Sequence, residues 1–338
     1  MKILLIGGTG IISSEVSRLM AGAGHDVTVF NRGGRNHRLP EGVRILTGDI
    51  YDEAAAAKTL GGESYDCVAD FIAFTPEHVE RDFRLFKGKT EQFIFISSAS
   101  AYQKPTVGFP VTESTPMVNP YWKYSREKIA CENYLMERHR EDGFPVTLVR
   151  PSHTYDEFSL PIGWPALRAM RDGRPVIIPG DGTTLWTLTH TADFARAFTG
   201  LIGNVHALGQ AVHITSDQAL TWNQIYGIIA GLLGVPLKAV HVASETLALC
   251  KSRDLRGQLM GDKANNTFFD NSKIKRLVPG WTAVIPFSEG VKKSVHNFLT
   301  LPELQKEEPE YEAFCEYVIK LNAEMTEKLR QFAANPEV

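Results

Sequence analysis

The chain has 338 residues and a net charge of −3, with 43% hydrophobic and 22% charged residues. These are globular proportions, and they exclude a disordered, collagenous or coiled-coil chain. With a pI near 6.4 there is no global basic footprint, so the binding of nucleic acid by bulk electrostatics is disfavoured.

Six short apolar runs, at 2–6, 26–30, 44–47, 67–71, 92–97 and 145–150, predict strands. The first, second and fifth are nearly all apolar, as parallel strands covered on both faces are. Helical patterns lie between them. Residues 11–22 set Ile12, Val16, Leu19 and Met20 on one side. This alternation predicts an α/β fold, a Rossmann-type doubly wound parallel sheet over 1–150. Beyond 150 the pattern loosens, with prolines and glycines clustered from Pro151 to Gly182. Helices are predicted near 191–202 and 221–233 and a strand at 211–215. Parts of 187–215 are expected to return to the first domain. Segments 151–186 and 216–300 are expected to build a smaller C-terminal substrate-binding lobe. The remainder, 301–338, is a helical tail. Its spaced apolar residues (Tyr311, Phe314, Val318, Leu321, Met325, Leu329) read as one amphipathic helix over about 307–332, packed on the body or on a second subunit.

No apolar run reaches the ~18–20 residues that span a bilayer, and MKILLIGG is too short for a signal h-region. The four cysteines (Cys67, Cys131, Cys250, Cys315) form no CxxC pair, which fits a reducing compartment and small buried side chains. The expected location is cytoplasmic.

Gly7, Gly8, Thr9 and Gly10 follow the first strand and open the first helix. Gly7 permits a tight turn, and Gly10 lets the backbone approach a pyrophosphate at the helix N-terminus. The third small position of the loop is Ser13. NAD-specific sites place an acid at the end of the second strand, to bond the ribose 2′-hydroxyl. Here the residue is Asn31, followed by Arg32, Arg35 and Arg38. An uncharged residue flanked by guanidiniums suits a 2′-phosphate, so NADP is favoured over NAD. A solvated basic loop is the alternative. Asp49, after the third strand, could accept from the adenine amino group or simply start a helix.

Tyr124 and Lys128 are four residues apart, on one helix face. Ser98 ends the fifth strand. Nicotinamide chemistry on an alcohol needs an acid/base for the hydroxyl proton, and a phenol near pKa 10 needs a neighbouring cation to serve. Tyr124 would be that base, Lys128 the cation and Ser98 the partner of the substrate oxygen. The ten histidines show no HxxxH or HExxH spacing, so no catalytic metal is expected. Without GxSxG, Ser98 is not read as a hydrolase nucleophile. His153 is expected to be a hydrogen-bonded structural residue, and His190 and Asp193 to serve in capping and packing. Tyr102, Tyr121 and Trp122 could wall a ligand or pack in a core.

In these stretches the chain resembles an extended short-chain dehydrogenase/reductase, of the NAD-dependent epimerase/dehydratase family that includes nucleotide-sugar epimerases. The matching segments are GGTGIIS (7–13), TGDIYD (47–52), FISSASAY (95–102), YSREK (124–128), RPSHTYD (150–156), GDGTTLWTLTHTADFA (180–195) and FDNSKIKRLVPGW (269–281). The resemblance implies a Ser98–Tyr124–Lys128 triad, with the cleft between the Rossmann domain and the second lobe. It implies a cofactor site that also takes Ile11, Ile12, Ile50, Phe71, Ile72, Ala73 and Pro151, with Lys128 on the nicotinamide ribose. A homodimer through the helix carrying Tyr124 is implied as well. Three positions depart from the family. Ser13 replaces a glycine, Asp70-Phe71-Ile72-Ala73 replaces a His-Leu-Ala-Ala-like run, and Trp186 stands in place of an arginine that grips a substrate diphosphate. The family points to an epimerase or reductase acting on a secondary alcohol or ketone of a sugar or nucleotide sugar. GGTG with FNRG also resembles a branch with chloroplast stem-loop RNA-binding members, so a non-catalytic nucleotide-sensing or RNA-binding protein is the alternative. Those members commonly lack an intact Tyr-x-x-x-Lys, and this chain keeps it.

Overall fold

The apolar runs of the first half pair side by side in a computed structural model that describes residues 1–334. The strands are β1 (Lys2–Ile6), β2 (Asp26–Asn31), β3 (Arg44–Thr47), β4 (Cys67–Asp70), β5 (Phe93–Ile96) and β6 (Val146–Pro151). Later come β7 (His153–Tyr155), β8 (Val176–Pro179), β9 (Leu185–His190), β10 (Gln210–Ile214), β11 (Ala219–Thr221) and β12 (Ala239–Val242). Seven of them form one sheet in the order β10-β6-β5-β4-β1-β2-β3, every pair parallel.

Alternate residues of β1 explain the two covered faces. Ile3 and Leu5 enter a layer with Val16, Met20, Phe194 and Phe198, from the helices α1 (Ile11–Gly22) and Thr191–Leu201. Leu4 and Ile6 enter the opposite layer with Val79, Phe86, Cys131 and Leu135. The helices there are Pro76–Phe86 and Lys123–Asp142. Counting Glu53–Leu60 as α2, these two are α3 and α4. Strand order reverses at β1, between β4 and β2, so a crevice opens beyond the carboxyl ends of these strands.

β4 stops one residue earlier than its apolar pattern suggests. The Asp70 carboxylate accepts the N–H groups of Ile72 (2.6 Å) and Ala73 (2.9 Å), which turns the chain out of the ladder. The other strand ends agree with the sequence pattern to within a residue or so.

The remaining strands make two small sheets, β11-β9-β7 and β12-β8. Tyr155, Ile178, Trp186, Trp222, Ile225, Phe287 and Phe298 fill the core beside them. The helix Trp222–Leu233 starts with a reciprocal cap, Thr221 with Gln224, and ends at Gly234 in the left-handed region (φ 69°).

The C-terminal helix Pro309–Ala334 packs on the body through its first turns. Arg168 bonds Glu312 (2.8 Å), Arg174 bonds Glu316 (2.9 Å), and the Arg253 guanidinium lies 3.8 Å from the Tyr311 ring centroid. Beyond Val318 its apolar residues Leu321, Met325 and Leu329 are exposed. Among the described residues no helix is long and apolar enough to cross a membrane. Cys67 and Cys131 are buried thiols, both pushed up by desolvation, as small core residues are.

Candidate active site

Two connected spaces follow the carboxyl edge of the sheet. The first, about 450 Å³, is lined by Gly7, Thr9, Gly10, Asn31, Arg32, Arg35, Asp49, Ile50 and Ile72. The second, about 390 Å³, is lined by Ile11, Ile12, Phe71, Ser98, Tyr124, Lys128 and Pro151. Phe74 borders both. The sequence-predicted cofactor and catalytic residues thus line two ends of one cleft. Ala73 lies behind the wall, fully buried, with its carbonyl turned to Lys128.

The glycine loop packs too closely on its neighbours to admit side chains. Gly7 has φ 79°, and a Cβ there would sit 2.6 Å from Ile72 Cγ2. A Cβ on Gly8 would sit 2.7 Å from Val29 Cγ2. Ser13 occupies the third small position without crowding. Its hydroxyl donates to Gly7 O (2.6 Å) and accepts from Gly10 N–H (2.8 Å), so it staples the loop that a glycine would only permit. The N-terminus of α1 opens on this cleft, where its dipole favours an anion.

Asn31 is committed to shaping the next loop. Its side chain accepts from Gly33 N–H (2.6 Å) and donates to Asn36 (2.9 Å). Arg32 and Arg35 are exposed and, among the described residues, form no ion pair. Arg38 parts company with them and lies over the Phe158 ring at 5.0 Å, in a neighbouring groove. The cationic cluster seen in the sequence therefore divides. The Asp49 carboxylate accepts from Tyr51 N–H (3.0 Å) and lines the first space.

At the other end, α4 brings Tyr124 and Lys128 to one face. Lys128 is 2% exposed. Its ammonium donates to Ala73 O (2.6 Å) and Ile96 O (2.7 Å) and lies 4.8 Å and 4.7 Å from the Phe74 and Phe95 rings. Burial pulls its pKa down to about 8, with Cys131, Asp70 and Glu132 acting against that fall. Burial pushes the Tyr124 phenol up to about 12, opposed by the Ser98 hydroxyl beside it. The bare phenol is thus a proton donor at neutral pH. Ser98 shares a hydrogen bond with Ser100 (2.8 Å), and Ser100 shares one with Ser125 (2.7 Å), on α4. This serine chain joins the end of β5 to the helix carrying Tyr124. Ser100 and Ser125 lie inside the matching FISSASAY and YSREK segments, but their 25-residue separation gave no sign that they meet.

His153 differs from expectation. Among the described residues its ring has no hydrogen-bond partner; it stacks on Trp186 (4.6 Å) and borders the catalytic space. Burial drives its pKa to about 3, so it is a neutral imidazole. A third cavity of about 230 Å³, lined by Trp222, Tyr226, Arg253, Lys263 and Tyr311, meets the second space at His153. Asp262 borders the catalytic space as well and went unnoticed in the sequence. His190 caps its helix by accepting from Ala192 N–H (3.2 Å), and Asp193 bonds Arg196 (2.5 Å) and Ile285 N–H (2.8 Å), both as expected. The aromatic trio divides: Tyr102 is a core residue bonded to His213 (3.1 Å), whereas Trp122 lies 4.9 Å from the Tyr124 ring at the cleft. No group of three or more His, Cys, Asp or Glu side chains is arranged to hold a metal among the described residues.

Residues 3–214 match the model of the NAD dependent epimerase/dehydratase family. The chain belongs to this family. It is of the extended short-chain dehydrogenase/reductase type, whose members are epimerases, dehydratases and reductases. It is 28% identical over 255 residues to 2′-dehydrokanamycin reductase of Streptomyces kanamyceticus, covering 73% of this chain and 71% of that one. It is 27% identical over 308 residues to the chloroplast stem-loop binding protein of 41 kDa b of Arabidopsis thaliana, covering 87% and 78%. Its fold is that of UDP-glucuronic acid 4-epimerase of Bacillus cereus, a structure in complex with UDP-glucuronic acid and NAD. The TM-score is 0.74 at 18% identity, with 89% of this chain and 100% of that one covered.

Proposed function

We propose that this family member is an NAD(P)-dependent epimerase or reductase acting on a secondary alcohol or ketone of a sugar or nucleotide sugar. Ser98, Tyr124 and Lys128 are its catalytic triad. The observation that carries the reading is the buried ammonium of Lys128, one helical turn from Tyr124, in the same cavity as Ser98. The nicotinamide, when bound, accepts or donates the hydride. Tyr124 holds or takes the hydroxyl proton, Ser98 orients the oxygen, and Lys128 favours the phenolate by its charge. Phe71, Phe74 and Trp122 give the cavity apolar walls.

We further propose NADP as the preferred cofactor, with Arg32 and Arg35 at the 2′-phosphate. Their support is the exposed pair of guanidiniums beside the first space, which form no ion pair among the described residues. The relatives named for UDP-glucuronic acid and 2′-dehydrokanamycin support a sugar-bearing substrate.

The test joins native mass spectrometry with a substrate panel of UDP-glucose, UDP-glucuronic acid and 2′-dehydrokanamycin, followed by NAD(P)H absorbance. Tyr124→Phe is expected to retain cofactor and lose about 10²–10⁴-fold in turnover. Cofactor that stays bound through turnover marks an epimerase, and exchange marks a reductase. Undiminished turnover in Tyr124→Phe eliminates the mechanism. The stem-loop-binding relative favours the RNA-binding reading, which predicts tight, steeply salt-dependent RNA affinity and no turnover.

A further inference from the structure

Asp70 stands where the sequence departs from its family, and in the structure it is completely buried. A buried carboxylate is costly unless it is paired and hydrogen-bonded. Its Oδ1 accepts the N–H groups of Ile72 (2.6 Å) and Ala73 (2.9 Å). Its Oδ2 accepts from the Arg81 guanidinium at 3.1 Å. Arg81, from α3, gives its shorter contacts (2.5 and 2.9 Å) to Asp82, which is also completely buried. Asp82 Oδ2 has no donor among the described residues, and burial beside Asp70 pushes the Asp82 carboxyl well above the usual carboxylate range. Asp70 is the member of the cluster whose two oxygens both accept, one from the 72–73 backbone and one from Arg81.

The segment that Asp70 grips is held at other points too. The Tyr51 hydroxyl donates to Ile72 O (2.7 Å), and Phe74 N–H donates to His78 Nδ1 (3.0 Å). One carbonyl of the segment, Ala73 O, receives the Lys128 ammonium at 2.6 Å. The other titratable groups turned toward Lys128 are Tyr124, Cys131 and Glu132 on its own helix and His78 on α3. Cys131 is a thiol pushed up by burial, and His78 is pulled down toward the neutral ring. Glu132 spends its charge on Arg150 at 2.5 Å.

We infer that Asp70 is a positioning residue. Through its hold on the 71–73 segment it fixes the carbonyl that receives Lys128, and it supplies the buried countercharge for that ammonium. Asp70 touches neither cofactor nor substrate; it acts through Lys128. The inference rests on the assignment of Lys128 as the catalytic ammonium.

The test reads Lys128 directly, by NMR titration of protein labelled with ¹³C-lysine, with its resonance assigned by loss in Lys128→Met. The wild-type midpoint is expected near 8. Asp70→Asn keeps an acceptor for the two N–H groups but removes the charge, and is expected to lower the midpoint by about one unit. Asp82→Asn changes the neighbouring carboxyl, which bonds Arg81 and not the 71–73 segment, and is expected to leave the midpoint in place. An unmoved midpoint in Asp70→Asn, or an equal fall in Asp82→Asn, overturns the inference. Wild-type amide exchange stands apart from how the variants fold. Ile72 and Ala73 N–H are expected to be protected, and free exchange at both overturns the positioning role. Turnover of Lys128→Met decides the underlying assignment separately. If that variant is active, Lys128 is not the catalytic ammonium, whatever Asp70 does to its titration.

Discussion

The two ends of the cleft carry their positive charge in opposite ways. At the proposed adenosine end, Arg32 and Arg35 stand exposed on a loop shaped by Asn31. At the proposed catalytic end, Lys128 is 2% exposed and bonded to two backbone carbonyls. An exposed guanidinium keeps its ordinary properties, and salt and side-chain entropy screen what it can contribute. A buried ammonium has its pKa moved and its geometry fixed, so neighbours can tune it. Selectivity between similar cofactors needs only the first kind of charge, whereas proton chemistry needs the second. Between the two ends the Gly7 backbone runs so close to Ile72 that a Cβ has no room there.

That contact gives the largest expected effect among the tests of this contrast. Gly7→Ala forces a Cβ onto a φ of 79° and to within 2.6 Å of Ile72. The left-handed conformation alone costs an L-residue about 1–2 kcal/mol. Because Ile72 is tied to Asp70 and Tyr51, it cannot retreat freely. Cofactor affinity is expected to fall by about 100-fold, the strain and the displaced Ile72 together supplying about 2.7 kcal/mol. Isothermal titration with NADP and with NAD checks this. A loss of less than threefold for both would show that the loop is not the phosphate cradle.

The buried end gives the next effect. The Lys128 ammonium is present below a pKa of about 8 and is lost as pH rises through it. Tyr124, pushed up to about 12, does not titrate in the same range. Turnover is therefore expected to decline above about pH 8, approaching tenfold per pH unit, if the charged lysine is what supports the phenolate. A rate profile from pH 6 to 10 decides it. A flat alkaline limb would mean that the charge on Lys128 is dispensable.

The same contrast explains what could be read in the sequence. The strands were legible because residues such as Ile3 and Leu4 serve opposite faces of one buried sheet, so both faces demanded apolar side chains. Tyr124 and Lys128 were legible because four residues make one helical turn. The Asp70–Arg81–Asp82 cluster was not, since Asp70 at a strand end reads as an ordinary turn residue and Arg81 lies on another element. The serine chain from Ser98 to Ser125 lay within matching segments, but the contact between two elements that closes it could not be read from spacing. His153 misled because a buried histidine usually finds a hydrogen bond, and this one faces the junction of two cavities instead. At the adenosine end the run of arginines over 32–38 suggested one patch, but the turn at Gly33 and the short helix Asn36–Arg38 send Arg38 toward Phe158.

The smallest expected effect comes from that divided patch. Arg32→Ala and Arg35→Ala each remove an exposed cation near the proposed 2′-phosphate. An exposed ion pair contributes about 0.2–1 kcal/mol, so each variant is expected to weaken NADP by up to about fivefold. NAD lacks the phosphate and should be little affected, so the ratio of dissociation constants moves toward unity. Salt should erode the wild-type preference in the same direction, because both cations stand in solvent. Arg38→Ala, by contrast, removes a cation that faces Phe158, and is expected to leave the NADP-to-NAD ratio where it was. If Arg38→Ala changes that ratio as much as Arg32→Ala does, the patch acts as one diffuse field and the 2′-phosphate has no local partner.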